Sequence, residues 1–145
     1  MAITQQTPLS EINAYIERRV KLWKKAMVRL LGQIGEECRN AAITNHRYKN
    51  QTGNLESSTG YVIVDDGRIV KSGGFSAVLE GGEGAKEGEK YIKTLVGQYS
   101  TGLCLIVVAG MRYAAYVSDM GLDVLDSAEL TARRLIPRML EQLEL

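Results

Sequence analysis

The sequence predicts an α+β fold, a small and mostly antiparallel sheet packed by a long N-terminal helix and a C-terminal helix. Three observations carry this. From about Ser10 to Ala42, apolar residues recur every three or four positions (Ile12, Ile16, Val20, Trp23, Met27, Leu30, Ile34, Cys38, Ala41), which is one face of a long helix. Two β-rich runs flank Asp66-Gly67 in "YVIVDDGRIVK", where positive φ is cheap and a tight hairpin follows. A second stripe of Ala132, Leu135, Ile136, Met139 and Leu143 closes the chain as a helix. At 145 residues the chain fits one domain, 1–145, with a single core.

The elements follow in the order α, β, β, α, β, α, α. Either Thr7, with Pro8 as first helical residue, or Ser10 can accept the free N–H groups at the start of the first helix. On the side opposite its apolar face, Arg18, Lys21, Lys25 and Arg29 align into a basic ridge. The polar stretch "YKNQTGNLESS" links this helix to the hairpin, with Thr52 capping a single turn and Leu55 dropping into the core. After Gly73 and Gly74 the second strand is expected to resume through "FSAVLE". Gly81 to Lys90, "GGEGAKEGEK", reads as a long mobile loop before a short helix in "YIKTLVGQY". Apolar on both faces, "LCLIVVA" is expected to be the central strand. "MRYAAYVSDMG" reads as a short helix ended by Gly121, with Tyr113, Tyr116 and Val117 on one face. Asp126 or Ser127 is expected to cap the last helix, and Pro137 to kink or restart it.

Composition excludes several function classes. Hydrophobic residues at 45% and charged residues at 24% are ordinary globular usage, and no apolar run approaches the roughly 20 residues of a membrane helix. No basic start with an apolar h-region opens the chain, so synthesis in a cytoplasm and no membrane partner are expected. Net charge is +1, but residues 1–49 hold nine Lys or Arg against four Asp or Glu, so the basic excess lies in the first segment. Cys38, Cys104 and His46 are too few and too far apart for a structural zinc site. His46 is the only candidate base, and both cysteines sit in buried apolar runs where thiols are packing residues, so a catalytic role is not expected. "GEGAKEG" has neither a complete G-x-G-x-x-G nor the Lys-Ser/Thr ending of a P-loop, and glutamates around it repel phosphate. No cofactor is expected. The basic ridge can touch nucleic acid through phosphates, but no aromatic residues interleave with it to stack bases.

Two motifs carry a resemblance. "QTGNLESSTGY", Gln51 to Tyr61, and "VVAGMRYAAYVSDMG", Val107 to Gly121, lie in order between two helices. Together they resemble the tail-component family of long-tailed bacteriophages, whose members take part in head-tail joining and tail completion. The family pattern is a long N-terminal helix, a T-G-x-L-x-x-S element leading into strands, a Y-A-x-Y-V element with a glycine shortly after, and a C-terminal helix. Thr52, Gly53, Leu55 and Ser58 match the first element, and Tyr113, Ala114, Tyr116, Val117 and Gly121 match the second. Ser118 stands where the family often has glutamate, and residues 80–100 look like an insertion. The resemblance implies a structural virion protein that forms an oligomeric ring at the head-tail junction or upper end of the tail. Its partners would be further copies of itself and other phage neck, connector or tail-tube proteins, with DNA passing through unread. Asn50, Gln51 and Asn54, with Gly82, Glu83, Gly84 and Lys86 of the loop, are the expected subunit-interface residues. The alternative is a nucleic-acid-binding module acting through Arg18, Lys21, Lys25 and Arg29.

Overall fold

The computed structural model describes residues 7–45, 52–77, 79, 81–111 and 114–143, apart from the side chains of Asn45 and Tyr116. The elements are α1 (Leu9–Asn45), α2 (Asn54–Ser57), β1 (Thr59–Asp65), β2 (Arg68–Gly74), α3 (Gly82–Val96), β3 (Leu103–Ala109), α4 (Ala114–Asp119) and α5 (Asp126–Gln142). The fold is α+β: α1, a three-stranded antiparallel sheet, and α5 packed against α1. No helix among the described residues is long and apolar enough to cross a membrane.

The sheet runs β2-β1-β3, and β1 pairs antiparallel with both neighbours. Asp65 faces Arg68 across the two-residue turn, where Asp66 (φ 48°) and Gly67 (φ 83°) are both left-handed. Two consecutive positive φ values are what a type I′ hairpin requires, so Asp-Gly is chosen by the twist of its strands. Asp66 also fastens the loop before β3: its carboxylate accepts from the Gly102 N–H at 2.7 Å, and its own N–H donates to the Gly102 carbonyl at 3.1 Å.

Alternation along β1 sends its side chains into two separate cores. Ile63 packs with Leu30, Leu31, Ile34 and Cys38 of α1 and with Ala128 and Met139 of α5. Val62 and Val64 pack with Ile92 and Val96 of α3 and with Phe75. The sheet is therefore the middle of three layers. "LCLIVVA" is an edge strand rather than the expected central one, and β1 takes the centre. Its doubly apolar pattern has a different cause: Leu103, Leu105 and Val107 face the α1/α5 layer while Cys104, Ile106 and Val108 face α3. Helices on both sides mimic, from sequence, a strand flanked by strands.

The glycine-rich run differs most from expectation. Gly81 to Lys90 is no loop, because α3 starts at Gly82 and runs unbroken through "YIKTLV" to Val96. Gly84, Gly88, Ile92 and Val96, spaced by four, are all buried, so the two glycines belong to the packed face. β2 ends at Gly74, and no strand resumes among the described residues of "FSAVLE". There Phe75 takes φ 53°, turns its ring onto Gly60 and donates its N–H to the Thr59 carbonyl at 3.1 Å.

The start of α5 finds a partner other than those expected. α1 begins after Pro8, whose carbonyl accepts from the N–H groups of Glu11 at 3.0 Å and Ile12 at 3.2 Å. Asp123, not Asp126 or Ser127, closes the start of α5: it accepts from the Ser127 N–H at 3.2 Å and also from the Ser127 hydroxyl. α5 runs through Pro137 as one element, so the expected restart does not occur. Pro137 is exposed, and water can satisfy the carbonyl it leaves unpaired.

Candidate functional site

The T-G-x-L-x-x-S element is a junction of four chain segments. Gly53 holds φ 78°, a left-handed geometry that glycine adopts without strain, and its carbonyl accepts from the Ser57 N–H at 2.8 Å to close α2. Thr52 Oγ1 accepts from the Asn54 N–H at 3.3 Å, which supports the first turn from outside. Leu55 is buried as expected. Ser58 is buried too: its hydroxyl donates to the Leu55 carbonyl at 2.6 Å and accepts from the Gly110 N–H at 3.1 Å. The same Gly110 N–H reaches the Ser58 carbonyl at 3.1 Å, so one residue ends α2, starts β1 and ties the end of β3.

Asn54 attaches the third layer. Its Oδ1 accepts from the Gly84 N–H at 3.1 Å, and a Cβ built on Gly84 would lie 2.1 Å from the Asn54 carbonyl oxygen. A Cβ on Gly88 would lie 2.5 Å from the Ser58 carbonyl oxygen, and one on Gly110 would lie 2.4 Å from the Gly88 Cα. Backbones touch here with no room for side chains, as small residues four apart permit. Gly84, expected at a subunit interface, is thus buried within its own chain, while Gly82, Glu83 and Lys86 are exposed. Asn54 is half-buried and already spends its amide oxygen inside the fold. Asn50 and Gln51 lie outside the described residues.

The two motifs meet in space. Leu55 of the first shares a buried cluster with Ala114 of the second and with Val124, and Val117 packs against it. Gly121 (φ 77°) ends α4, donating its N–H to the Ser118 carbonyl at 3.0 Å. Tyr113 lies outside the described residues, as does the Tyr116 ring.

Along α1, Arg18, Lys21, Lys25 and Arg29 are all exposed on the side away from the sheet. Lys24, which the sequence pattern did not single out, pairs with Asp65 at 3.2 Å. Farther along, the Tyr61 hydroxyl donates to Glu36 Oε1 at 2.7 Å. Tyr61 is 1% exposed, and burial first, then that hydrogen bond and the Glu36 charge, push its pKa up to about 12 against a smaller opposing pull from Arg39. Burial also raises the Cys38 thiol, helped by the Glu37 carboxylate, and raises the Cys104 thiol. Both sulfurs are held protonated, the unreactive state. His46 lies outside the described residues, and among those described no group of three His, Cys, Asp or Glu is placed to hold a metal.

Two surfaces were not legible as sites. The apolar stripe of α1 is covered only from about Trp23 onward; Leu9, Ile12, Ile16 and Val20 are 36% to 63% exposed. The missed signal was length. The 37 residues of α1 extend roughly 55 Å at 1.5 Å each, whereas a seven-residue strand spans about 23 Å. Beside β3, an apolar groove of about 680 Å³ lies between the strand and α5, with Met27, Leu31, Leu105, Leu125, Ile136 and Leu140 in its walls. No family model, curated protein or solved structure matches the chain.

Proposed function

We propose that the chain is a structural virion protein of a long-tailed bacteriophage, forming an oligomeric ring at the head-tail junction or the upper end of the tail. It acts through subunit contacts rather than chemistry. The observation that carries this reading is unpartnered surface: among the described residues neither outer strand pairs along its far edge, and α1 carries an exposed apolar stripe past the body. Free edges and large apolar patches are surfaces that oligomers cover. The resemblance in Thr52, Gly53, Leu55 and Ser58 and in Ala114, Val117 and Gly121 adds to it, since the two elements share one cluster and one hydrogen-bonded junction. A head-to-tail contact repeated around an axis gives a ring when the rotation closes. Further copies and other neck, connector or tail-tube proteins are the partners, with DNA passing through the ring.

Electron microscopy of the purified protein, alone and mixed with other virion components, tests this. Closed rings are expected, and a protein that forms no ring under either condition overturns it. One observation favours a second reading, a nucleic-acid-binding module: Arg18, Lys21, Lys25 and Arg29 form an exposed row. In that case wild-type protein binds DNA with steep salt dependence, and Lys21→Glu with Lys25→Glu abolishes binding. Negligible binding at physiological salt removes that reading.

A further inference from the structure

We propose that the exposed N-terminal stripe of α1 in one copy seats in the groove between β3 and α5 of a second copy. This deepens the assembly reading above and rests on it.

Leu9, Ile12, Ile16 and Val20 continue, at the same helical angle, the stripe that Trp23, Met27, Leu30 and Ile34 bury against the chain's own layers. Tyr15 and Leu22, 57% and 63% exposed, stand off this stripe, Leu22 beside Arg18 and Lys25. Four large apolar side chains in one exposed row exceed the scattered exposure normal for a monomer. The tip cannot fold back to cover itself. It belongs to the same uninterrupted helix whose later turns supply Met27 and Leu31 to the groove.

The groove fits that tip in chemistry, length and charge. Its apolar walls include Leu105, Ile136 and Leu140, the last two 36% and 55% exposed in the lone chain. From Leu9 to Val20 the stripe extends about 18 Å, within the roughly 23 Å of β3. Arg19 stands at the margin of the stripe, and Asp126 and Glu129 stand at the margin of the groove, so seating brings opposite charges together. An amphipathic helix laid in an apolar groove is a common recognition mode. The basic ridge of Arg18, Lys21, Lys25 and Arg29 then points away from the contact.

The test uses the full chain and two double variants at exposed positions, Ile16→Glu with Val20→Glu on the tip and Ile136→Glu with Leu140→Glu in the groove. Sedimentation velocity of wild-type protein should show concentration-dependent association. Each double variant should raise the dissociation constant at least about tenfold, the effect of losing an anchoring side chain, while circular dichroism and melting stay as in wild type. Mixing the two variants leaves one intact contact per pair, so a one-to-one complex should form and grow no further. Independently, an oxidised mixture of Ile16→Cys and Leu140→Cys proteins should give a disulfide between those positions of different copies. A wild-type protein monomeric to about 100 µM, association indifferent to the tip variant, or no such disulfide would each overturn the inference. Rings that persist in the tip variant sink the docking and spare the ring. Stripe-dependent dimers that never close into rings do the reverse.

Discussion

Gly84→Ala and Gly82→Ala, two residues apart in α3, should move stability in opposite directions. At Gly82 nothing lies within 4 Å of an added Cβ, and the residue sits exposed in the first turn. There alanine only lowers chain entropy, so the variant should be neutral or stabilised by up to about 1 kcal/mol. At Gly84 the added carbon would stand 2.1 Å from the Asn54 carbonyl oxygen, so α3 must withdraw from α2 by roughly 1.5 Å to restore ordinary contact. Withdrawal strains the packing by about 1–3 kcal/mol and weakens the Asn54 to Gly84 hydrogen bond, about 0.5–1.5 kcal/mol, against a helix-propensity gain of about 1 kcal/mol. The net is a loss of about 1–3 kcal/mol, a large fraction of a domain's stability. Urea denaturation followed by circular dichroism reads it as a lower midpoint at unchanged slope. If Gly84→Ala is as stable as Gly82→Ala, the glycine run is not seated against α2, and the three-layer arrangement fails with it.

Ile63, fully buried at the centre of the sheet, should cost about 2–5 kcal/mol when replaced by alanine, while half-buried Leu105 on the edge strand should cost about 1–2 kcal/mol; equal losses in urea denaturation would contradict the strand order. Ser58→Ala removes the hydroxyl that bonds both Leu55 and Gly110 and should lower the midpoint by about 1–2 kcal/mol, with no loss if the junction is ornamental. Tyr61 is neutral in the fold and its pKa is pushed up to about 12, so its contribution is complete below pH about 10 and is lost as pH rises from there toward 12. Melting temperature should fall across that window in wild type and fall less in Tyr61→Phe; parallel alkaline declines would show that Tyr61 is not the titrating group.

What the sequence disclosed about the fold depended on whether a local pattern had a single structural cause. Asp66-Gly67 did, because only a primed turn wants two positive φ values, and the hairpin lies there. "LCLIVVA" had two causes, burial between strands or between helix layers, and the pattern does not separate them. The run Gly81 to Lys90 misled for a subtler reason. Glycine weakens an isolated helix, so composition points to a loop, but here it is selected for lacking a side chain where α3 crosses α2 and the end of β3. The four-residue spacing of Gly84, Gly88, Ile92 and Val96 carried the helical signal all along once glycine is counted as a packing residue.

The candidate site was less legible than the fold, and α1 shows why. A period in the sequence reports which face of a helix is apolar and says nothing about which stretch of that face its own chain can reach. Ile16 and Ile34 occupy equivalent positions on one stripe, yet Ile34 is 5% exposed and Ile16 is 52% exposed. The difference is set by the reach of α5 and the sheet, which end near Trp23 and Leu143. A helix continued by many residues past its support stays formed because elongation from an existing nucleus is inexpensive, although about 14 residues alone in water would be marginal. The body thus serves as the nucleus for a tip whose apolar face it does not cover. In a monomer such a face is a solubility liability, and it is retained at least cost when a second molecule covers it.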